Sequence, residues 1–373
     1  MLSPKEALVT LNLIPGLGSM RIQALLEFFG SAELVLHAPE NLLAGVNRIG
    51  GKLARAIRDW KSCTNARAEL QCAADAGVRV VTILDAEYPD ILRRMSDPPI
   101  VLYVKGSWLP ADADKSVAIV GTRQASAYGA TTARRFGREL ADAGCTIISG
   151  LARGIDTAAH WGALDANGRT LAVLGFGMAE LYPSENEELA NRISNGHGAL
   201  VSEFPMYMRP SRTTFPQRNR IVAAWSRATL VVEAPQRSGS LHTAGMAADN
   251  YGNSVFAIPG PINQISSSGC HALIRDGATL CTSSHELLSD MGWLSEPQQL
   301  NLFEAQMPET PLALSQDKET TDLLKALSSG HDTLDALCSA LGKGAHSITP
   351  LLMRLQIERR ITPQPGGRFT LVH

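Results

Sequence analysis

The chain has 373 residues, of which 45% are hydrophobic and 19% charged, and its formal net charge is -2. This length predicts two or three domains, and the apolar content excludes a disordered chain. The near-neutral charge excludes a uniformly basic nucleic-acid-binding surface, so that any contact with nucleic acid must come from local patches.

The cysteines and the apolar runs indicate the compartment. None of the six cysteines forms a Cys-x-x-Cys pair, so neither a disulfide framework nor a zinc site is expected. No apolar run reaches the ~18 residues that a membrane span needs, and no signal-peptide pattern follows the early charges Lys5 and Glu6. We therefore expect a reduced, cytosolic protein that does not contact a membrane.

Residues 1–80 are predicted to form a small helical domain. Two glycine-rich breaks, at 14–18 and 47–52, are each followed by a helical pattern, at 20–29 and 53–60. Residues 81–112 carry several prolines and are interpreted as a connector that ends in a short strand at 100–104.

The middle of the chain alternates apolar runs with helical patterns. The predicted helices are 131–143, 156–166 and 241–251, and the predicted buried strands are 116–120, 146–148, 170–174, 200–201, 229–232 and 255–258. Such alternation is typical of an α/β fold with a Rossmann-like, doubly wound, mostly parallel sheet. We assign this domain, with its connector, to residues 81–294.

The end of the chain predicts a third domain. Residues 295–317 are rich in Pro, Gln and Glu and are expected to form a linker. Residues 318–373 contain helical patterns at 319–327, 333–341 and 348–358, followed by a hairpin around Gly366 and Gly367. Three helices and a terminal hairpin are typical of a winged-helix domain, although other small three-helix domains share the pattern.

The usual cofactor motifs are absent from the sequence. Gly175 and Gly177 follow a strand, but the third glycine of a dinucleotide fingerprint would fall at Glu180. Gly51 and Lys52 do not complete a phosphate-binding P-loop. The histidines show no metal-ligand spacing, so we expect no cofactor, no metal and no catalytic residue.

Four loops at predicted strand ends carry the stronger signal. Glycine lets the backbone approach an anion, helix starts offer free N–H groups, and arginine adds bidentate donors, so we interpret the loops as a phosphate-binding site. Glycines at such turns can also be simple turn chemistry, and the arginines can pair with acids such as Asp156 or Glu203. The proposed binding residues are Gly121, Arg123, Gly150, Arg153, Gly154, Arg212, Phe215, Arg218, Asn219, Arg220, Ser238 and Gly239.

Several stretches of the middle region resemble the DprA/Smf family, the DNA-processing protein A of bacteria. They occur in the family's order at 117–123, 149–156 with 159–160, 182–186, 202–203, 215–220, 231–234 with 238–240, and 257–260. Two positions depart from the family pattern: Asn253 stands where Arg is frequent, and 355–358 reads Leu-Gln-Ile-Glu. The flanking regions fit a helix-hairpin-helix-like domain and a winged-helix domain.

The resemblance implies a function that composition and spacing do not supply. Members of the family bind single-stranded DNA, form homodimers through the Rossmann-like domain, and load the recombinase RecA during natural transformation. On this basis we expect a DNA-binding protein with RecA as its partner, not an enzyme.

Two rival interpretations stay open at the level of sequence. A Rossmann-like hydrolase of nucleoside monophosphates would have a similar sheet, with Glu233 as the strand-end acid and Ser238 and Gly239 holding the phosphate. The signature Pro-Gly-Gly-x-Gly-Thr of such enzymes is missing, because Pro261 and Ile262 follow Pro259 and Gly260. The other rival is a structural adaptor whose pocket no longer binds a ligand.

Overall fold

The computed structural model describes residues 2–294, 313–357, 360–364 and 367–371. The chain divides into two compact units, Met1–Ser295 and Glu296–His373, each of which we describe by itself. The boundary that the sequence places at residues 80 and 81 falls inside the first unit. No helix in the described ranges is long and apolar enough to cross a membrane.

The first unit begins with a layer of short helices. Ser3 caps the first of them, since its hydroxyl accepts a hydrogen bond from the Glu6 amide and the Glu6 carboxylate accepts one from the Ser3 amide. Leu8, Leu11 and Ile22 are fully buried in a common core. The helices are α1 Pro4–Leu13, α2 Ser19–Phe29, α3 Ala32–His37, α4 Glu40–Ala44, α5 Gly51–Arg58, α6 Trp60–Cys63 and α7 Ala66–Asp75.

A nine-stranded sheet forms the centre of the unit. Its strands are β1 Arg79–Thr82, β2 Val101–Gly106, β3 Ser116–Val120, β4 Thr146–Ser149, β5 Thr170–Leu174, β6 Gly198–Ser202, β7 Ala228–Val231, β8 Ser254–Ala257 and β9 Thr279–Leu280. Their order is β1-β2-β6-β5-β4-β3-β7-β8-β9. Pairs β1–β2 and β2–β6 are antiparallel, and all other pairs are parallel. The mostly parallel sheet confirms the predicted α/β class, and the expected strands are β3 to β8.

Helices cover both faces of this sheet. Phe136 and Ala159 of two of them pack on one face, and Ile221 and Ala244 of two others on the opposite face. The helices are α8 Asp90–Arg93, α9 Ala127–Asp142, α10 Ile155–Asp165, α11 Glu187–Arg192, α12 Thr214–Trp225, α13 Gly239–Tyr251, α14 Ser268–Arg275 and α15 Ser284–Asp290.

Strand β2 packs against both the N-terminal helices and the interior of the sheet. Its side chains alternate between two cores, as a pleated strand requires. Val101 and Tyr103 pack into the core of the N-terminal helices, whereas Leu102 and Val104 pack into the core beneath the sheet. The region interpreted as a connector therefore supplies two antiparallel strands that join the N-terminal helices to the sheet.

The second unit contains three helices and a two-stranded hairpin. They are α16 Ala313–Ser328, α17 Leu334–Leu341, α18 Ala345–Ile357, β10 Ile361–Gln364 and β11 Arg368–Leu371. Leu323, Leu337 and Ile348 are fully buried in its core. The expected linker at 295–317 lies largely outside the described residues, and α16 occupies its last five positions.

Candidate functional site

A cavity of about 690 Å³ opens at the carboxyl edge of the parallel strands. It lies beside β3, at a change in the strand order. Strands β4, β5 and β6 follow one another on one side of β3, and β7 and β8 lie on its other side. Ligands of open α/β sheets bind at such a switch point. The cavity is lined by Val120, Gly121, Thr122, Arg123, Ala152, Asp156, Tyr182, Pro210, Ser211, Arg212, Phe215, Pro216, Arg218, Asn219, Ser238, Gly239, Ser240 and Thr243.

Most of the residues proposed from sequence meet here. Those that line the cavity are Gly121, Arg123, Arg212, Phe215, Arg218, Asn219, Ser238 and Gly239. Gly150 and Arg153 line a smaller cavity of about 240 Å³, which shares Arg123, Tyr182 and Phe215 with the larger one. Gly154 and Arg220 line neither of the two.

Cationic and aromatic side chains form a continuous stack where the two cavities adjoin. The guanidinium carbon of Arg123 lies 4.3 Å from the ring centroid of Phe215, and the ring of Tyr182 follows 6.3 Å from that of Phe215. The guanidinium of Arg153 lies 5.7 Å from the centroid of Tyr182. A cation at such a distance from a ring centroid is attracted to the face of the ring.

The two arginines at the ends of the stack differ in charge balance. Arg153 makes a bidentate ion pair with Glu185, whose second oxygen is 3.0 Å from Nη2. This pairing raises the pKa of Arg153 and lowers the pKa of Glu185. Exposed Arg123, in contrast, has no carboxylate at salt-bridge distance among the described residues. The net positive charge of the stack therefore resides on Arg123.

Arg218 is a buried cation that lines the cavity. It is 4% exposed, and its guanidinium donates to the carbonyl of Val173 at the end of β5. Burial lowers the pKa of Arg218 to about 10, an effect that the nearby Asp156 carboxylate opposes. Asp156 itself accepts hydrogen bonds from the amides of Gly150 and Ala152, at 3.1 Å and 3.4 Å, and burial raises its pKa. Arg218 stays charged at neutral pH.

The amino terminus of α13 also opens into the cavity. Ser238 caps this helix by accepting a hydrogen bond from the Ser240 amide at 3.3 Å. Asn219 crosses from α12 and donates to the carbonyl of Gly239 at 3.3 Å, which positions the two helices. The first amides of a helix have no partner within it, so this terminus provides donors for an anion.

At three of the proposed glycines a side chain would collide with a neighbouring residue. A Cβ on Gly150 would overlap the guanidinium of Arg218, and one on Gly121 would lie 2.5 Å from the side chain of Ile155. Gly154 has φ +80° and packs against the carbonyl of Thr122, so it needs both a left-handed conformation and the absence of a side chain. These positions hold the loops that carry the arginines.

The expectation that Arg220 lies at the same edge is corrected by the structure. Arg220 is in the middle of α12, and its Nη2 and Nε atoms pair with Glu203 at 2.6 Å and Asp97 at 2.8 Å. Because the apolar run at 221–224 follows them, the sequence predicts that Arg218 and Arg220 lie near the amino terminus of a helix, whereas α12 begins at Thr214. Residues two apart on a helix point to nearly opposite sides, so only Arg218 faces the cavity.

Tyr182, Pro210 and Ser211 are among the lining residues that the proposed binding set did not include. Tyr182, which is 38% exposed, and Pro210 and Ser211 complete the side of the cavity near Phe215. Tyr182 belongs to the Tyr-Pro-Ser-Glu-Asn stretch that carries the family resemblance, which was the available signal. The segment containing Pro210 and Ser211 has no periodic pattern that could have placed it.

Glu233, the acid considered for a hydrolase, stabilises the start of a helix. Glu233 is 3% exposed, and its carboxylate accepts hydrogen bonds from the Ser126 amide at 2.9 Å and hydroxyl at 3.1 Å. It thus holds the start of α9 and does not line the cavity. His160 is buried against Thr170, with 2.6 Å between Nδ1 and Oγ1, and burial lowers its pKa to about 3. Among the described residues no cluster of His, Cys, Asp and Glu has the arrangement of a metal site.

Fold and site together define a Rossmann-like protein. Its switch-point cavity combines Arg123, which pairs with no carboxylate in the part of the chain that the structure describes, with aromatic rings and a helix amino terminus. The family model of the DNA recombination-mediator protein A matches residues 79–292, more than half of the chain. The chain belongs to this family, which is the DprA/Smf family that the sequence motifs indicate.

Individual relatives agree with this assignment. Protein Smf of Escherichia coli is 38% identical over 288 residues, which cover 76% of this chain and 75% of Smf. The X-ray structure of DNA processing protein A from Streptococcus pneumoniae is 34% identical and superposes with a TM-score of 0.66, covering 78% of this chain and 98% of that one. A structure of the Helicobacter pylori protein that concerns its single-stranded DNA binding mode is 27% identical, with a TM-score of 0.52 over 57% of this chain and 95% of that one.

Proposed function

We propose that this protein binds single-stranded DNA in the switch-point cavity. Phosphate groups contact Arg123 and the amino terminus of α13, and bases stack on Phe215 and Tyr182. The observation that carries the proposal is the stacked pair of Arg123 and Phe215. The exposed Arg123 guanidinium, which has no carboxylate partner among the described residues, lies 4.3 Å from the centroid of the half-buried Phe215 ring. Sites for single-stranded nucleic acid combine a cation that contacts the phosphate backbone with an aromatic ring on which a base stacks.

The recess of the site favours a single strand over a duplex. In a flexible strand the bases can turn into the two adjoining cavities while the phosphates stay at their openings. A duplex would first have to unpair and unstack those bases. The Helicobacter pylori relative, whose structure concerns single-stranded DNA binding, supports the same conclusion.

Arg218 and Arg153 contribute to the site in different ways. Arg218 lies too deep to meet the backbone at the opening, so it supplies positive potential inside the cavity and anchors the end of β5. Arg153 orients Tyr182 while its charge is balanced by Glu185. Arg212 is exposed at the cavity and adds a cation for the strand that leaves it.

We further propose that the bound strand is transferred to the recombinase RecA in the cytosol during natural transformation, in line with the family's description as a recombination mediator. The C-terminal helices and hairpin are proposed to form a winged helix.

An apolar surface beyond β8 is proposed to join two copies into a homodimer. It carries Ile262, Ile265 and Leu280, which are 95%, 82% and 48% exposed. Light scattering of Ile265→Asp should give the monomer mass if this surface is the interface.

The decisive experiment is a fluorescence-anisotropy titration with single-stranded and double-stranded DNA of equal length at several salt concentrations. We expect clearly tighter binding to the single strand. Equal affinity for the duplex at matched salt would refute the proposal.

Incubation with nucleoside monophosphates tests the hydrolase alternative, which would release free base. RecA filament growth on protected single strands, with and without the protein, tests the transfer step.

A further inference from the structure

A separate cavity of about 470 Å³ lies between the N-terminal helices and α12. It adjoins the DNA cavity along α12, because Pro216 lines one and its neighbour Gln217 lines the other. Its lining residues are Gly18, Ser19, Met20, Arg21, Arg48, Asp97, Gln217 and Arg220. The sequence singled out both Gly18 and Arg220, but the proposed function uses neither.

The amino terminus of α2 opens into this cavity. The helix is 11 residues long, and its N-cap residue, Gly18, has no side chain that could satisfy the first amides. Arg21 holds the turn before the helix, since it donates to the carbonyls of Gly16 at 2.6 Å and Arg48 at 3.2 Å. The terminus is therefore fixed in place with amides that an anion can bind.

Arg48 brings an unbalanced charge to the same place. It has a positive φ of 67°, which carries its side chain back over α2, where Nη1 donates to the sulfur of Met20 at 3.3 Å. A thioether is a weak acceptor and bears no charge. No carboxylate in the described part of the chain forms an ion pair with Arg48.

Arg220 provides an independent sign of a missing ligand. Its side chain is 8% exposed and lines the cavity, where Nη2 reaches the hydroxyl of Ser19 at 3.4 Å. Although Nε pairs with Asp97 at 2.8 Å and Nη2 with Glu203 at 2.6 Å, buried Nη1 has no hydrogen-bond partner among the described residues. A buried guanidinium N–H without an acceptor is costly, and an anionic oxygen would satisfy it.

We propose that this cavity is a second phosphate subsite, which binds the backbone of the single strand where it leaves the main cavity. The inference rests on the proposed function and extends it to the N-terminal helices. Three arginines line the cavity, and the Asp97 and Glu203 carboxylates are both paired with Arg220, so Arg21 and Arg48 have no carboxylate partner among the described residues. The α2 amides and Arg48 contact the phosphate directly, and Arg220 completes the site from α12.

The test compares oligothymidylates from about 5 to about 25 nucleotides, since single-strand sites of this kind span about 4–16 nucleotides per module. Two variants of the full chain address the subsite. Arg48→Gly removes the charge at a backbone position that suits glycine, so that folding is preserved. Met20→Glu places a carboxylate at the α2 terminus. Arg138→Ala is the matched control, because Arg138 is an exposed arginine outside both cavities.

Both subsite variants should bind the shortest oligomer like the parent protein and the longest roughly tenfold more weakly, as expected for one charge-assisted contact. The salt dependence of the longest oligomer should become less steep by about 0.7, the value for one single-strand phosphate. Parent affinity and slope at every length would overturn the inference and leave the main site intact. An equal loss at every length would place Arg48 in the main site and also overturn it. If the parent protein binds no single strand, the proposed function fails and the inference fails with it.

Discussion

The charge difference between Arg123 and Arg153 gives the sharpest prediction. Arg123→Ala removes a cation that has no carboxylate partner within the described ranges, so DNA binding should lose one phosphate contact. The double variant Arg153→Ala/Glu185→Ala removes a bidentate ion pair and leaves the net charge of the site unchanged. Two changes at opposite ends of the same stack should therefore affect DNA binding very differently.

The magnitudes follow from the contacts. A hydrogen bond to a charged group contributes about 1.5–3 kcal/mol, so Arg123→Ala should weaken binding roughly 10- to 150-fold. The slope of log K against log salt should become less steep by about 0.7. Stability should fall by only about 0.5–1 kcal/mol, because the exposed cation–π contact with Phe215 is the interaction that is lost. The double variant should keep the parent slope.

The assay is fluorescence anisotropy with a labelled oligothymidylate at four or more salt concentrations, accompanied by thermal denaturation of each variant. Arg138→Ala controls for the general loss of one positive charge. If Arg123→Ala binds with the parent affinity and slope, the assignment of the site is wrong. If the double variant loses as much slope as Arg123→Ala, the argument from charge balance is wrong.

Three predictions concern stability. Gly150→Ala should cost about 1–3 kcal/mol by forcing a methyl group into the Arg218 guanidinium, which urea unfolding will detect; an unchanged midpoint would contradict the packing argument. Arg220→Ala should cost about 3–5 kcal/mol, since it leaves the Glu203 carboxylate buried without its partner, and a melting temperature like that of Arg123→Ala would argue against this structural role. Burial lowers the pKa of His160 from 6.5 to about 3. Between these two pH values the imidazole binds a proton in the unfolded state but not in the folded state, so the free energy of unfolding should fall as the pH decreases from 6.5. In His160→Asn, urea titrations between pH 5 and 6.5 should show a dependence smaller by up to about 1.4 kcal/mol per pH unit, and an unchanged slope would count against the shift.

The sheet could be predicted because its strands are buried on both sides. The runs at 116–120 and 170–174 are apolar and rich in β-branched residues, and they form β3 and β5 with the expected bounds. Once those strands were placed, the loops after them had to meet at one edge. The main part of the site, from Gly121 to Gly239, follows from this single geometric rule.

The features of the site that could not be predicted from the sequence depend on contacts between residues that are distant in the chain. Arg220 resembles Arg218 in its local sequence, and only the start of α12 at Thr214 decides which of them faces the cavity. The role of Glu203 depends on Arg220, and that of Glu185 on Arg153, across 17 and 32 residues. Strand β1, Arg79–Thr82, was not predicted from the sequence, and it lies across the boundary that the sequence interpretation placed between residues 80 and 81.

The alternation of β2 between two cores also bears on folding cooperativity. Val101 and Tyr103 cannot leave the N-terminal core without disturbing Leu102 and Val104 on the other side of the same strand. The N-terminal helices and the sheet therefore share one backbone segment, and neither can open locally while the other keeps its packing. A chain shortened to start after the helices would expose one face of β2 to water. Proteolysis that removes the helices should therefore destabilise the switch-point cavity, although no residue of α1 lines it.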